Sequence, residues 1–477
     1  MTMKREYLSP SSPYPEAHAA LFKGYGVTSR LIPVFCLAGL LWPAIWNGYP
    51  IVFADTGTYL SQAMHRYLGW DRPAFYSLFI FPLHLRLTTW PVILVQSCLT
   101  VLVLDLTRRA FGVSRWWLLA VAVFLAGATW LPWMVSELMP DVFTPLLVLL
   151  LGCLVFAPAA FRMWERVGMT ALAAFMISAQ QSSVPLSLAL LGVFIPLRWF
   201  SARHRRPMFA PVLAPAFAIA ALLAMNAVGH GRLAISPYGN VFLLARVIYD
   251  GPGMAVLRRD CPASGWRLCA WLDRFPPTSD EFLWDSTSPI LLAGGHKAVS
   301  ADADAIIHAA ARTDPVGLLR AIWVNAAEQL SRFESGDGLE AWDKQVGSLI
   351  DAEFPLRESA AYRQARQQHG VLSVPAPLVT AHGAAAVAGI VLAIVLLPLA
   401  RRRQPVVAGF LAIALLTLPV SAAITGGLST PHDRYQSRIV WLPACVALLS
   451  LPALLGRRRH PVHAPPGQTF HAAAHAT

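Results

Sequence analysis

Ten apolar runs punctuate this chain, most of them close to the roughly 20 residues that a helix needs to cross a bilayer. They fall at 31–48, 89–107, 116–134, 142–160, 168–182, 184–199, 208–228, 379–400, 405–425 and 438–456. The fifth and sixth are short. Residues 74–88 are apolar too, but Pro82 interrupts them and they are too few to cross, which predicts a re-entrant or interfacial helix. Hydrophobic residues make up 56% of the chain and charged ones only 13%, too little charge to cover a water-soluble protein of this size. The expected fold is an α-helical polytopic membrane protein. It has about ten transmembrane helices, re-entrant or interfacial helices, and one large, mostly helical external domain.

Charge gives these runs a direction. The net charge of +12 is unevenly spread: the long polar stretch 229–377 carries −3 and the rest +15. The excess lies beside the membrane segments, so topology rather than nucleic-acid binding explains the basic pI. Arg108, Arg109 and Arg115 form one basic cluster, and Arg198, Arg203, Arg205 and Arg206 a second. Arg401–Arg403 and Arg457–Arg459 complete the set. Ten spans with a cytoplasmic N-terminus put all four on the cytoplasmic side. The loops 49–88, 135–141 and 426–437 then face outside, together with 229–377. The first apolar run follows a polar segment holding Lys4, Arg5, Lys23 and Arg30, and reads as an uncleaved signal anchor.

Five units are expected: a cytoplasmic segment 1–30, a membrane module 31–228, an external domain 229–377, C-terminal membrane helices 378–456 and a disordered cytoplasmic tail 457–477. Within the external domain, Asp314 followed by Pro315 marks a helix start. Cys261 and Cys269 are its only cysteines, and an oxidising compartment predicts a disulfide between them. Cys36, Cys98, Cys153 and Cys445 lie in apolar runs and read as small core residues. Arg- and Ala-rich usage with an uncleaved anchor suggests a bacterial inner membrane.

Nine acids lie outside the external domain, and Asp55, Asp71, Glu137, Asp141 and Asp433 map to the outer face. Carboxylates at membrane depth are costly, which makes them candidates for function. Bland roles compete. Asp55 suits the N-cap of the helix that follows. Arg72 can pair with Asp71 or anchor at the headgroups. Glu137 and Asp141 bracket Pro140 at a helix start, where carboxylates favour the dipole. Asp433 can pair with Arg434, and Asp105 with Arg108 or Arg109. Gln180–Ser183 reads as the turn between two spans.

The loop after the first run places Asp55, then Tyr59-Leu60, then Arg72-Pro73 and Tyr76 before a short apolar segment. Gln96 stands in the next run, and His432-Asp433-Arg434-Tyr435 in a short loop before the last. In this layout the chain resembles the GT-C glycosyltransferases, membrane enzymes that take sugar from a polyprenyl-phosphate carrier on the external face. It departs from their commonest form in having Asp55-Thr56 where two acids or Asp-Ser are usual, and Ala74-Phe75 where Pro-Gly or Pro-Leu is usual. The resemblance implies a polyprenyl-phosphate sugar donor, an extracytoplasmic acceptor and membrane lipid as partners. It implies Asp55 as catalytic base, with Glu137 or Asp141 assisting. Tyr59, Arg72, Tyr76, His432, Asp433, Arg434, Tyr435 and Arg438 are the candidate substrate-binding residues. Some members use a divalent cation, Mg or Mn, but the 14 His are scattered and no metal motif stands out.

The chemistry suits these residue types. A sugar phosphate carries its own leaving group, so the enzyme needs a carboxylate base at the acceptor hydroxyl and cationic donors at the departing phosphate. A transporter or flippase would instead show charged or broken spans and an internal repeat, neither of which is clear. A lipid-linked glycan polymerase or ligase would rely on Arg and His of a large loop. The transferase expectation requires Asp55, Arg72 and Arg434 to meet around one external cavity open to lipid.

Overall fold

A computed structural model describes residues 27–201 and 209–456. The N-terminal basic residues Lys4, Arg5 and Lys23, the cluster Arg203, Arg205 and Arg206, Arg457–Arg459 and the tail lie outside the described residues. Among the described residues the structure is helical, and its one β feature is an isolated parallel bridge between Ile51 and Glu137.

Five helices among the described residues are long and apolar enough to cross a membrane: Trp90–Phe111, Phe209–His230, Ala376–Arg403, Pro405–Leu428 and the broken helix Asp433–Leu455. Each coincides with an expected span. Of the other five expected spans, four are shorter apolar helices, while 168–182 falls in the helix Met163–Ala179, which is not apolar enough to count among them; local chemistry explains several breaks. The first run divides at Leu41 into Val27–Leu40 and Trp42–Asn47, with Pro43 opening the second piece. The third stops at Ala128 and resumes as Leu131–Val135, again with a proline in the first turn. The interfacial segment is an 11-residue helix, Ala74–His84, closed by Leu85 and Arg86 in the left-handed region.

The described basic ends gather at one end of the bundle. Arg109 pairs with Glu165 at 2.6 Å, and Arg108 and Arg115 reach Asp105 at 2.8 and 4.0 Å. Phe410 packs on Phe111 and on Phe156, whose carbonyl accepts from Arg198. Arg403 donates to the Leu454 carbonyl. The acidic loops meet at the other end.

The stretch 229–377 is not one packing unit. Residues 238–306 build a separate small core around Val241, Leu244, Phe282 and Ile306, and within this part Cys261 and Cys269 are disulfide-bonded. Residues 339–372 join the main membrane core instead, through Leu339, Val346, Ile350, Phe354, Tyr362 and Leu372. They are stitched to the first loop. Glu358 accepts from Tyr49, the Thr89 amide and the Thr89 hydroxyl, while Gln367 bonds both the amide and the carbonyl of Val52. Glu353 pairs with His65 and Arg86. Between the two parts, Asp314 caps the helix Pro315–Ser331 by accepting from the Gly317 amide. Of the free cysteines, Cys36, Cys153 and Cys445 are buried, whereas Cys98 lies on an exposed helix face and is no core residue.

Candidate functional site

The loops that hold Ile51 and Glu137 are laid side by side by the bridge between these two residues. The Ile51 amide donates to the Ser136 carbonyl, and the Ile51 carbonyl accepts from the Leu138 amide. Thr56 ties the next turn to the Leu138 carbonyl. Below, Tyr76 donates to Gln96, whose amide nitrogen holds the carbonyls of Val135 and Glu137. Tyr59 packs edge-on against Tyr76. Both tyrosines are buried, so they stand under the site as scaffold rather than facing a substrate.

Two tiers of charge result. The lower one is buried: Arg434 bonds Asp141 at 2.7 Å and reaches Glu137 at 3.3 Å, and Arg438 bonds Asp141 at 2.9 Å. Arg438 also donates to Ser182, in the turn between two helices. The Arg434 guanidinium lies over the Phe53 ring at 3.7 Å, and its backbone amide donates to Asp337. Burial pushes the Glu137 carboxyl up to about 8 despite the pull of Arg434, and the Asp141, Asp337 and Asp55 charges add to the rise.

The upper tier is the pair Asp55–Arg72 at 2.8 Å, with side chains 19% and 23% exposed, against 7% or less in the lower tier. Asp55 stands at the N-cap position, but its side chain accepts no capping hydrogen bond; Arg72 takes it instead. Arg72 touches Asp71 only through that residue's carbonyl.

The unit formed by residues 238–306 meets this pair. Arg72 lies 5.6 Å from the Trp284 ring centre, and Trp70 stacks on Phe242 and His296. His432 meets Asp280 at 3.3 Å, and Ser279 bonds Thr430. The Asp280 contact holds the His432 imidazole above its ordinary value. Asp433 does not pair with Arg434; it accepts from the Glu334 amide and reaches Arg332 at 3.4 Å. Tyr435 sits against Arg438.

Asp55, Arg72, Glu137, Asp141, Arg434 and Arg438 thus come together, while His432 and Asp433 face a neighbouring cleft. That cleft, about 670 Å³, is also lined by Arg332, Glu334, Asp337 and Glu340. Phe53, Ser182, Asp280, Trp284 and Asp337 complete the surroundings and were not candidates from the sequence. Only the Ser182 turn carried a local signal. Among the described residues no group of three or more His, Cys, Asp or Glu is arranged to hold a metal ion. No family model, curated protein or solved structure matches this chain.

Proposed function

We propose that this chain is a GT-C-type glycosyltransferase that moves a sugar from a polyprenyl-phosphate carrier to an extracytoplasmic glycan, lipid or protein, with inversion. One observation carries the reading: a half-buried Asp55–Arg72 pair rests on a buried Glu137–Asp141–Arg434–Arg438 cluster at the outer ends of apolar helices. Asp55 and Arg72 are the members of this array with appreciable exposed side-chain surface. A carrier phosphate competes with Asp55 for the Arg72 guanidinium, which suits phosphate geometry equally well. Once released, Asp55 takes the proton of the acceptor hydroxyl as its oxygen attacks the anomeric carbon. The sugar–phosphate bond breaks on the opposite face, and the negative charge leaves with the phosphate towards Arg72. The lower tier fixes the two loops in place.

Ten spans with a cytoplasmic N-terminus, in a bacterial inner membrane, are part of the same reading. The broken first and third helices gain length from Trp42–Asn47 and Leu131–Val135. The test is a transfer assay on the full chain in bilayers with a panel of polyprenyl-phosphate sugars. At least one donor is expected to be used, and Asp55→Asn is expected to lower its rate by about 10²–10⁴-fold. Since Asp55 makes no capping bond, the variant should fold as the wild type does. Transfer at near wild-type rate by Asp55→Asn would move the base to Glu137 or Asp141; no transfer from any donor would sink the reading.

A further inference from the structure

The helix Pro315–Ser331 belongs by sequence to the external domain, yet it has no water-facing side of the usual kind. Its inner stripe, which includes Ile322, Asn325 and Gln329, packs on the outer end of the span Pro405–Leu428. The approach there is close: a Cβ at Gly426 would lie 2.5 Å from the Asn325 carbonyl oxygen, and one at Gly427 would lie 3.0 Å from Ile322. Backbones brought together across small residues are how helices pack inside bilayers. The outer stripe is Val316, Leu319, Trp323 and Leu330, spaced to share one face. Val316 is 74% and Trp323 72% exposed, and Val324 beside them is exposed too. A surface helix in water would carry charge on that face. Here Arg320 is the one charged side chain between Asp314 and Glu328, and it is long enough to reach the headgroups. Charges close both ends: the Asp314 cap at one and the Glu328–Arg332 pair at the other.

We propose that the Val316–Leu319–Trp323–Leu330 stripe lies against lipid acyl chains of the outer leaflet, so that Pro315–Ser331 is a membrane-contacting helix. The occupant is lipid because the stripe continues the exposed apolar surface at the outer end of that span, where Leu428 is also exposed. The stripe is roughly 21 Å long at 1.5 Å per residue, shorter than the ~30 Å hydrocarbon core, so the helix stays within one leaflet or lies along it. A mid-stripe tryptophan suits the headgroup boundary. The inference depends on the membrane reading of the chain and not on its being a transferase.

Spin labels test it in the full chain, reconstituted in phosphatidylethanolamine–phosphatidylglycerol bilayers on a Cys98→Ala background. Leu319→Cys and Trp323→Cys are compared with Val391→Cys, on an exposed span face, and Lys297→Cys, on the exposed surface of the external domain. Labels at 319 and 323 should favour oxygen over a water-soluble nickel complex several-fold more than the label at 297, and approach the label at 391. Nickel accessibility equal to that at 297 would place the stripe in water and overturn the proposal. Low accessibility to both reagents would mean that protein covers it, a second copy included, and overturns the proposal equally.

Discussion

Asp141 neutralises two buried guanidiniums, those of Arg434 and Arg438. Removing one partner of a buried ion pair leaves an uncompensated charge and costs about 3–5 kcal/mol. Asp141→Asn is therefore expected to lower the thermal unfolding midpoint sharply, whereas Asp55→Asn, at the half-exposed pair, should change it little. Equal midpoints for the two variants would contradict the two-tier arrangement. Glu137 gives a pH signature. Folding raises its carboxyl from the ordinary 4.5 to about 8, mainly through burial, so the folded chain favours the protonated form. That contribution is complete below the ordinary value and is lost as pH rises through the raised one. The midpoint should fall as pH rises from about 4.5 to about 8, and less so in Glu137→Gln; unchanged slopes would refute it. The carboxylates themselves were legible in the sequence, since acids are scarce outside residues 229–377. Their partners were not: Asp55 has Arg72 seventeen residues on, but Asp141 finds its arginines 293 and 297 residues away, beyond any local pattern.

Helices declared themselves where chain chemistry is local. Asp314-Pro315 announced the start of Pro315–Ser331, and the longest apolar runs became the longest helices. The division of residues 229–377 between separate packing units was hidden, because residues 339–372 are polar enough to read as soluble while their apolar minority packs on the main core. That docking has a tight point. A Cβ at Gly57 would lie 2.0 Å from the Gln345 carbonyl oxygen, backbone that has little room to yield. Gly57→Ala is expected to destabilise the chain by about 1–3 kcal/mol, as overpacking does, and to increase protease cleavage within 339–372. Wild-type resistance in that variant would show that the segment docks less closely. In the other unit, Cys261 and Cys269 should resist thiol labelling in denatured, unreduced protein, while the remaining four cysteines react. Labelling of both would disprove the bond.

At the scale of the whole molecule, charge separates the two ends of the bundle. Described basic helix ends cluster at one, with Asp105 and Glu165 among them, and the Glu137–Asp141–Arg434–Arg438 cluster lies at the other. With basic clusters retained inside, an export-dependent reporter fused near residue 300 should be active, while one fused after Arg403 should not. The opposite pattern would invert every placement above. The long distance between Asp141 and its arginines also bears on how the chain is made. A ribosome delivers Glu137 and Asp141 to the membrane early, when the guanidiniums that neutralise them have yet to be synthesised. Until the segment from Asp433 onward emerges, those carboxylates must stay hydrated, or protonated, or in the care of something else. The helix that begins at Asp433 is thus the one that lets the first loops close, long after those loops were made.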